Sequence, residues 1–161
     1  MKAILIICLS FASIISFAQN YTLPQGEYMD TTLVISPKCS PPYSIFYYQV
    51  KAKYPVSSET LLREAKDFMK EKGHTYTGSG YVTFRFYVDC EGTMSRIKVM
   101  QTDEDYKPAR FQKDLVEELY QFAKKINKWP TGIEIQDIKN VNYIAFISFK
   151  IKNGEIINII P

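Results

Sequence analysis

The chain has 161 residues, with 20 Lys and Arg against 17 Asp and Glu and a formal net charge of +3. So weak a positive balance gives no support for nucleic acid as a partner, and none is expected. With an apolar leader set aside, the remaining length suits one hydrophobic core and falls short of a comfortable two.

Met1–Ala18 carries a single Lys, then a continuous apolar run, then Ser16-Phe17-Ala18 before Gln19. Small residues three and one before the break suit a secretory signal peptidase site. The run is short for a membrane span, and Ile7 stands where a lipoprotein signal at Cys8 needs a small residue. The expected product begins at Gln19, outside the cytoplasm, periplasmic or secreted.

Two cysteines then remain, Cys39 and Cys90. In an oxidising compartment such a pair is expected as a structural disulfide. Closing a loop of that length stabilises a fold by about 4 kcal/mol in the chain-entropy picture. Residues 19–53 form an N-terminal extension in which Thr31–Ser36 and Ser44–Lys51 read as short strands around Pro37, Pro41 and Pro42.

Ser57–Lys72 reads as an amphipathic helix, with Ser57 or Ser58 as cap and Gly73 after its last charged residue. Leu61, Ala65 and Phe68 make its apolar stripe, with Leu62 and Met69 beside them. His74–Gly80 is a loop. In Gly80–Asp89 the residues Val82, Phe84, Phe86 and Val88 alternate with Tyr81, Thr83, Arg85 and Tyr87, the period of a strand with one buried face. Gly92 suits the turn of a hairpin into a second strand, Thr93–Gln101.

An acidic loop, Gln101–Lys107, precedes a second helix over Pro108–Ile126. There Phe111, Leu115, Leu119, Phe122 and Ile126 recur at helical spacing, and Pro108 suits the first turn. Trp129-Pro130 ends it and Gly132–Asn140 is a loop. Val141–Lys152 is a long strand. Asn153-Gly154 is a strong two-residue hairpin signal that returns Glu155–Ile160 alongside it.

On these residues the chain resembles a family. Tyr54-Pro55 before a helix, the run from Gly80 to Asp89 with Gly92, Lys128-Trp129-Pro130-Thr131-Gly132, and a last strand containing Phe149 are similar to motifs of the TonB C-terminal domain. The resemblance covers roughly Tyr54 to Lys152. It implies an α+β fold: an antiparallel sheet with a β-β-α-β core packed on a helix, here with an additional N-terminal helix and a domain spanning 54–161. It also implies a periplasmic domain that captures an extended segment of another protein by adding it to a sheet edge. The periplasmic segment of an outer-membrane transporter is the partner type the family suggests. The energy-transducing members need an inner-membrane anchor and a Pro-rich spacer. Here the leader reads as cleavable and no such spacer is visible, so a link to transmembrane transport rests on the resemblance alone. Where many relatives carry Pro in the last strand, this chain has Phe146.

The expected partner-binding edge is that strand, through Asn142, Ile144, Phe146, Ser148 and Lys150. The tail Glu155–Ile160 would either close the edge or act as a displaceable lid, and a homodimer through the C-terminal strand is a further use of it. No catalytic role is expected. The single His, His74, lies in a loop with no patterned nucleophile. Asp103, Glu104 and Asp105 read as a solvated loop without calcium-loop spacing. Glu117 and Glu118 read as the wet face of a helix. No cofactor and no metal is expected. Tyr47, Tyr48, Tyr81 and Tyr87 could instead form a carbohydrate- or surface-binding platform, and a structural periplasmic protein without a transport role is the remaining reading.

Overall fold

The computed structural model describes residues 26–40 and 45–161. Along them run β1 (Glu27–Tyr28), α1 (Ser58–Lys72), β2 (Gly80–Val88), β3 (Met94–Thr102), α2 (Lys113–Lys125), β4 (Tyr143–Lys152) and β5 (Glu155–Ile160). The expected leader Met1–Ala18, the start at Gln19, and Ser44 lie outside the described residues. Among the described residues no helix is long and apolar enough to cross a membrane.

The fold is α+β. Five strands form one antiparallel sheet in the order β1-β3-β2-β4-β5. The alternation in β2 buries Val82, Phe84, Phe86 and Val88 completely. Burying each such side chain contributes about 1.5–3 kcal/mol, so the sheet is committed to one inner face. The helices cover that face. Phe84 meets Tyr120 of α2 at 5.9 Å between ring centroids, Phe122 meets Phe149 of β4 at 6.1 Å, and Phe68 of α1 meets Phe122 at 5.7 Å. Trp129 packs on Phe86 and Tyr54.

α1 matches its expected span. The Ser57 hydroxyl accepts from Thr60 N at 3.2 Å, and Gly73 closes the helix with φ 70° and a bond from its N–H to Lys70 O. Asn153 and Gly154 both take positive φ, 51° and 83°, the geometry a two-residue hairpin needs. Their turn pairs Lys152 with Glu155 and Ile151 with Ile156.

α2 starts at Lys113, five residues after the expected Pro108. Pro108 instead bridges Thr102, and Ala109 N donates to Gln101 O at 3.1 Å. The stretch stays extended because it satisfies carbonyls at the outer side of β3. Neither expected N-terminal strand forms. Thr31–Ser36 has no regular structure, and Leu33 and Val34 are exposed rather than committed to a core. The chain after Phe46 turns back on itself: Gln49 N donates to Phe46 O at 2.9 Å, Ala52 N to Tyr47 O at 2.8 Å, and Lys51 takes φ 55°. Local bonds outcompete the strand there.

Candidate binding edge and open sheet face

β4 lies between β2 and β5 rather than at the rim of the sheet. Its far side carries two separate covers. Ser148, Lys150 and Lys152 face Ile160, Asn158 and Glu155 of β5. Toward the other end, Ile144 N donates to Ile45 O at 2.7 Å, Tyr47 N donates to Ile144 O at 2.9 Å, and Phe46 and Ile144 form a parallel bridge. Asn142 precedes the strand and is buried, its side-chain N–H donating to Ser40 O at 2.6 Å. Every expected edge residue except Phe146 therefore faces another part of the same chain.

Phe146 sits between the covers. Antiparallel ladders alternate, so if Ile144 turns its backbone groups away from β2, Phe146 does the same. Its opposite number on β2 is Arg85. Its half-buried ring lies 5.9 Å from Phe46 and 6.4 Å from Tyr47.

The two covers are held differently. β5 drives Ile156 and Ile159 into the core, and its Asn158 side chain accepts from Ile159 N at 2.9 Å. The Ile45–Tyr47 cover has one bridge and half-exposed side chains. It is anchored at a distance. Cys39 and Cys90 form a disulfide with Cα atoms 5.5 Å apart. The buried Asp89 carboxylate accepts from Ser36 N at 3.1 Å as well as from Glu91 N and Thr93 N in its own turn. Lys38 and Glu91 pair at 2.7 Å, which holds the carboxyl below and the amine above their ordinary values.

The four tyrosines singled out as a platform fall into separate groups. Tyr81 stacks on Tyr106 at 5.0 Å, Tyr87 lies beside Arg96, and Tyr47 packs with Tyr48 and Phe146. On the sheet face away from the helices, Tyr28, Arg85, Tyr87, Arg96 and Lys98 line a cleft of about 210 Å³. Lys98 Nζ stands 4.3 Å over the Tyr28 ring and Arg96 donates to the Tyr28 hydroxyl at 3.3 Å. That hydrogen bond, with help from Lys98, draws the phenol below its ordinary pKa.

Glu118 is buried, not on a wet face. Its Oε1 meets His74 Nδ1 at 2.7 Å and its Oε2 has no hydrogen-bond partner. Burial, then Glu118, pushes the neighbouring Tyr76 phenol up to about 12. Glu117 instead accepts from the Gln121 amide one turn on. Asp103 caps its own loop, accepting from Asp105 N and Lys107 N at 2.9 Å. Among the described residues no group of three or more His, Cys, Asp and Glu is placed to hold a metal ion.

Sequence reasoning missed Asp89 and the Tyr28–Arg96–Lys98 cluster. Alternation already placed Arg85 and Lys98 outward, but nothing in the pattern joined Tyr28 to them. Comparison with family models, curated proteins and solved structures finds no match for this chain.

Proposed function

We propose that the protein is a non-catalytic binding domain working outside the cytoplasm, in the manner of a TonB C-terminal domain. It takes an extended segment of another protein at the Ile144–Phe146 end of β4. One observation carries this reading. The chain's own Ile45–Tyr47 already lies there through an isolated parallel bridge with two ladder bonds to Ile144. Main-chain bonds of that kind are how an added strand is held, and Phe146 extends the row by one residue. The disulfide supports an oxidising compartment. The segment of an outer-membrane transporter is the partner type that the family resemblance suggests.

Displacement belongs to the Ile45–Tyr47 cover, because stripping β5 would expose Ile156 and Ile159. The test is a labelled peptide of sequence SIFYYQVK, residues 44–51, titrated against the protein and against Phe46→Gly with Tyr47→Gly. Freeing the edge removes an internal competitor, so the peptide should bind the double variant about tenfold more tightly. Adding Phe146→Pro, which deletes an outward N–H, should abolish the gain. A freed variant that stays folded by circular dichroism yet binds no better than the parent overturns the reading.

A further inference from the structure

The open face of the sheet, away from both helices, carries a second pattern that strand addition does not use. Register places Tyr28, Lys98, Arg85 and Phe146 in one row across β1, β3, β2 and β4. A bulge on β3 opposite Phe86 inserts Arg96, at φ 49°, beside that row. Four residues along β2, about 13 Å away at strand rise, Tyr81 pairs with Lys150, whose Nζ stands 5.7 Å over the Tyr81 ring. Between the two cationic groups lies a neutral row in which the Thr83 and Ser148 hydroxyls bond at 2.7 Å.

The cations of this face lack direct ion-pair partners. Among the described residues Arg85, Arg96, Lys98 and Lys150 take part in no ion pair. Residues 1–25 and 41–44 contain no Asp or Glu that could supply one. The only carboxylate that strand register puts on this face is Glu155, at the hairpin end opposite Lys152. Arg85, Lys98 and Lys150 are half-buried and Arg96 is exposed, and unpaired cations gathered together raise the local potential and favour an anionic ligand. Two guanidinium forks beside a lysine suit planar oxyanions.

We propose that this face binds a linear acidic polysaccharide bearing carboxylated sugar rings. One carboxylate would enter the cleft of about 210 Å³ among Tyr28, Arg85, Tyr87, Arg96 and Lys98. Another would meet Lys150 beside Tyr81, and the Thr83–Ser148 row would face sugar hydroxyls between them. Two anion positions joined by a hydroxyl-lined row fit a repeating polyanion better than a single small anion. Stacked bases are disfavoured because the rings are already engaged: Tyr81 by Tyr106 and Lys150, Tyr28 by Lys98. The site is independent of the strand-addition reading and stands if that reading falls.

Calorimetric titration of the full chain with polygalacturonate tests it. The comparators are fully methyl-esterified pectin, polyglutamate, an oligothymidylate and phosphatidylglycerol vesicles. Polygalacturonate should bind most tightly and its affinity should fall with salt. Arg85→Gln with Lys98→Gln should weaken it about tenfold or more, and Lys150→Gln less. Lys66→Gln with Lys113→Gln, on the helices, should leave it unchanged. Equal binding of the neutral ester, tighter binding of any other comparator, or an affinity that the Arg85 and Lys98 changes leave intact in a folded protein each overturns the proposal.

Discussion

The hairpin of β2 and β3 and the described N-terminal residues 26–40 and 45–52 both contact the same sheet. They are held by different physics. β2 buries every second side chain completely, so its position follows from hydrophobic area. The N-terminal stretch buries little apart from Ala52 at its end. Its attachment is largely polar: the pairing of β1 with β3, backbone bonds to Ile97, Arg96 and Ile144, the Asp89 carboxylate, the Asn142 amide, the Lys38–Glu91 pair and one disulfide. Side-chain burial makes a framework; polar contacts and a crosslink make a cover.

The largest expected effect strikes the framework. Phe84 has no exposed surface and touches the rings of Tyr120 and Phe149. Phe84→Ala should lower unfolding free energy by about 3–5 kcal/mol, read from denaturant midpoints, and should loosen both regions together. A loss under about 1 kcal/mol would mean that the core is not what holds the sheet.

Cutting the tether should separate the regions. Cys39→Ser with Cys90→Ser should cost about 2–4 kcal/mol. Amide exchange should rise first across residues 27–47 and leave residues 82–88 protected. Equal loss of protection in both would erase the distinction between framework and cover.

This difference in attachment also decides what the sequence could reveal. The alternation of β2, the stripe of α1 and the Asn153-Gly154 turn are written in side-chain period and turn chemistry, and each appears where expected. The α+β sheet was therefore legible, and so was the pairing of Cys39 with Cys90. The cover was not legible, because backbone bonds to Ile97 or Ile144 leave no trace in residue type. Thr31–Ser36 looked like a strand by composition but has no core to enter. Pro108 fits a helix N-terminus as well as it fits an extended bridge, so the sequence places the start of α2 too early. Its charge points Glu118 to water, although it stands three residues after Leu115 and four before Phe122, inside the apolar stripe. For the site, the strand and its tail were foreseen, but not that a second segment covers the rest of the edge.

A smaller effect is expected where cover meets framework. Asn142 donates to Ser40 O while its own Oδ1 is buried without a partner. Asn142→Ala loses one bond and relieves one unsatisfied acceptor, so stability should fall by about 1 kcal/mol or less. A loss above about 3 kcal/mol would show that the junction belongs to the framework.

The smallest effect is a divergence at alkaline pH. Tyr76 and Tyr143 lie in the core, and burial raises both phenols, Tyr76 to about 12 and Tyr143 further. A phenol whose folded pKa is raised contributes stability in full below its unfolded value near 10, and that stability is lost as pH climbs through the folded value. Tyr28, in the cover, is shifted the opposite way by its bond from Arg96. A lowered phenol contributes only once pH exceeds its folded value, in full above the unfolded one, so Tyr28 adds nothing at neutrality and tightens the cover as the solution becomes alkaline. The attachment of β1 should strengthen as pH approaches about 10, and the framework should weaken between about pH 10 and 12. Tyrosinate absorbance should show Tyr28 ionising early, a phase that Tyr28→Phe removes, and Tyr76 ionising late, a phase that Tyr76→Phe removes. Denaturant midpoints at about pH 9 and about pH 11 should fall less for Tyr76→Phe than for the parent, because the variant has one fewer buried phenol to ionise. Tyrosines that all titrate together, with midpoints falling equally in both proteins, would show that the two regions share one electrostatic environment.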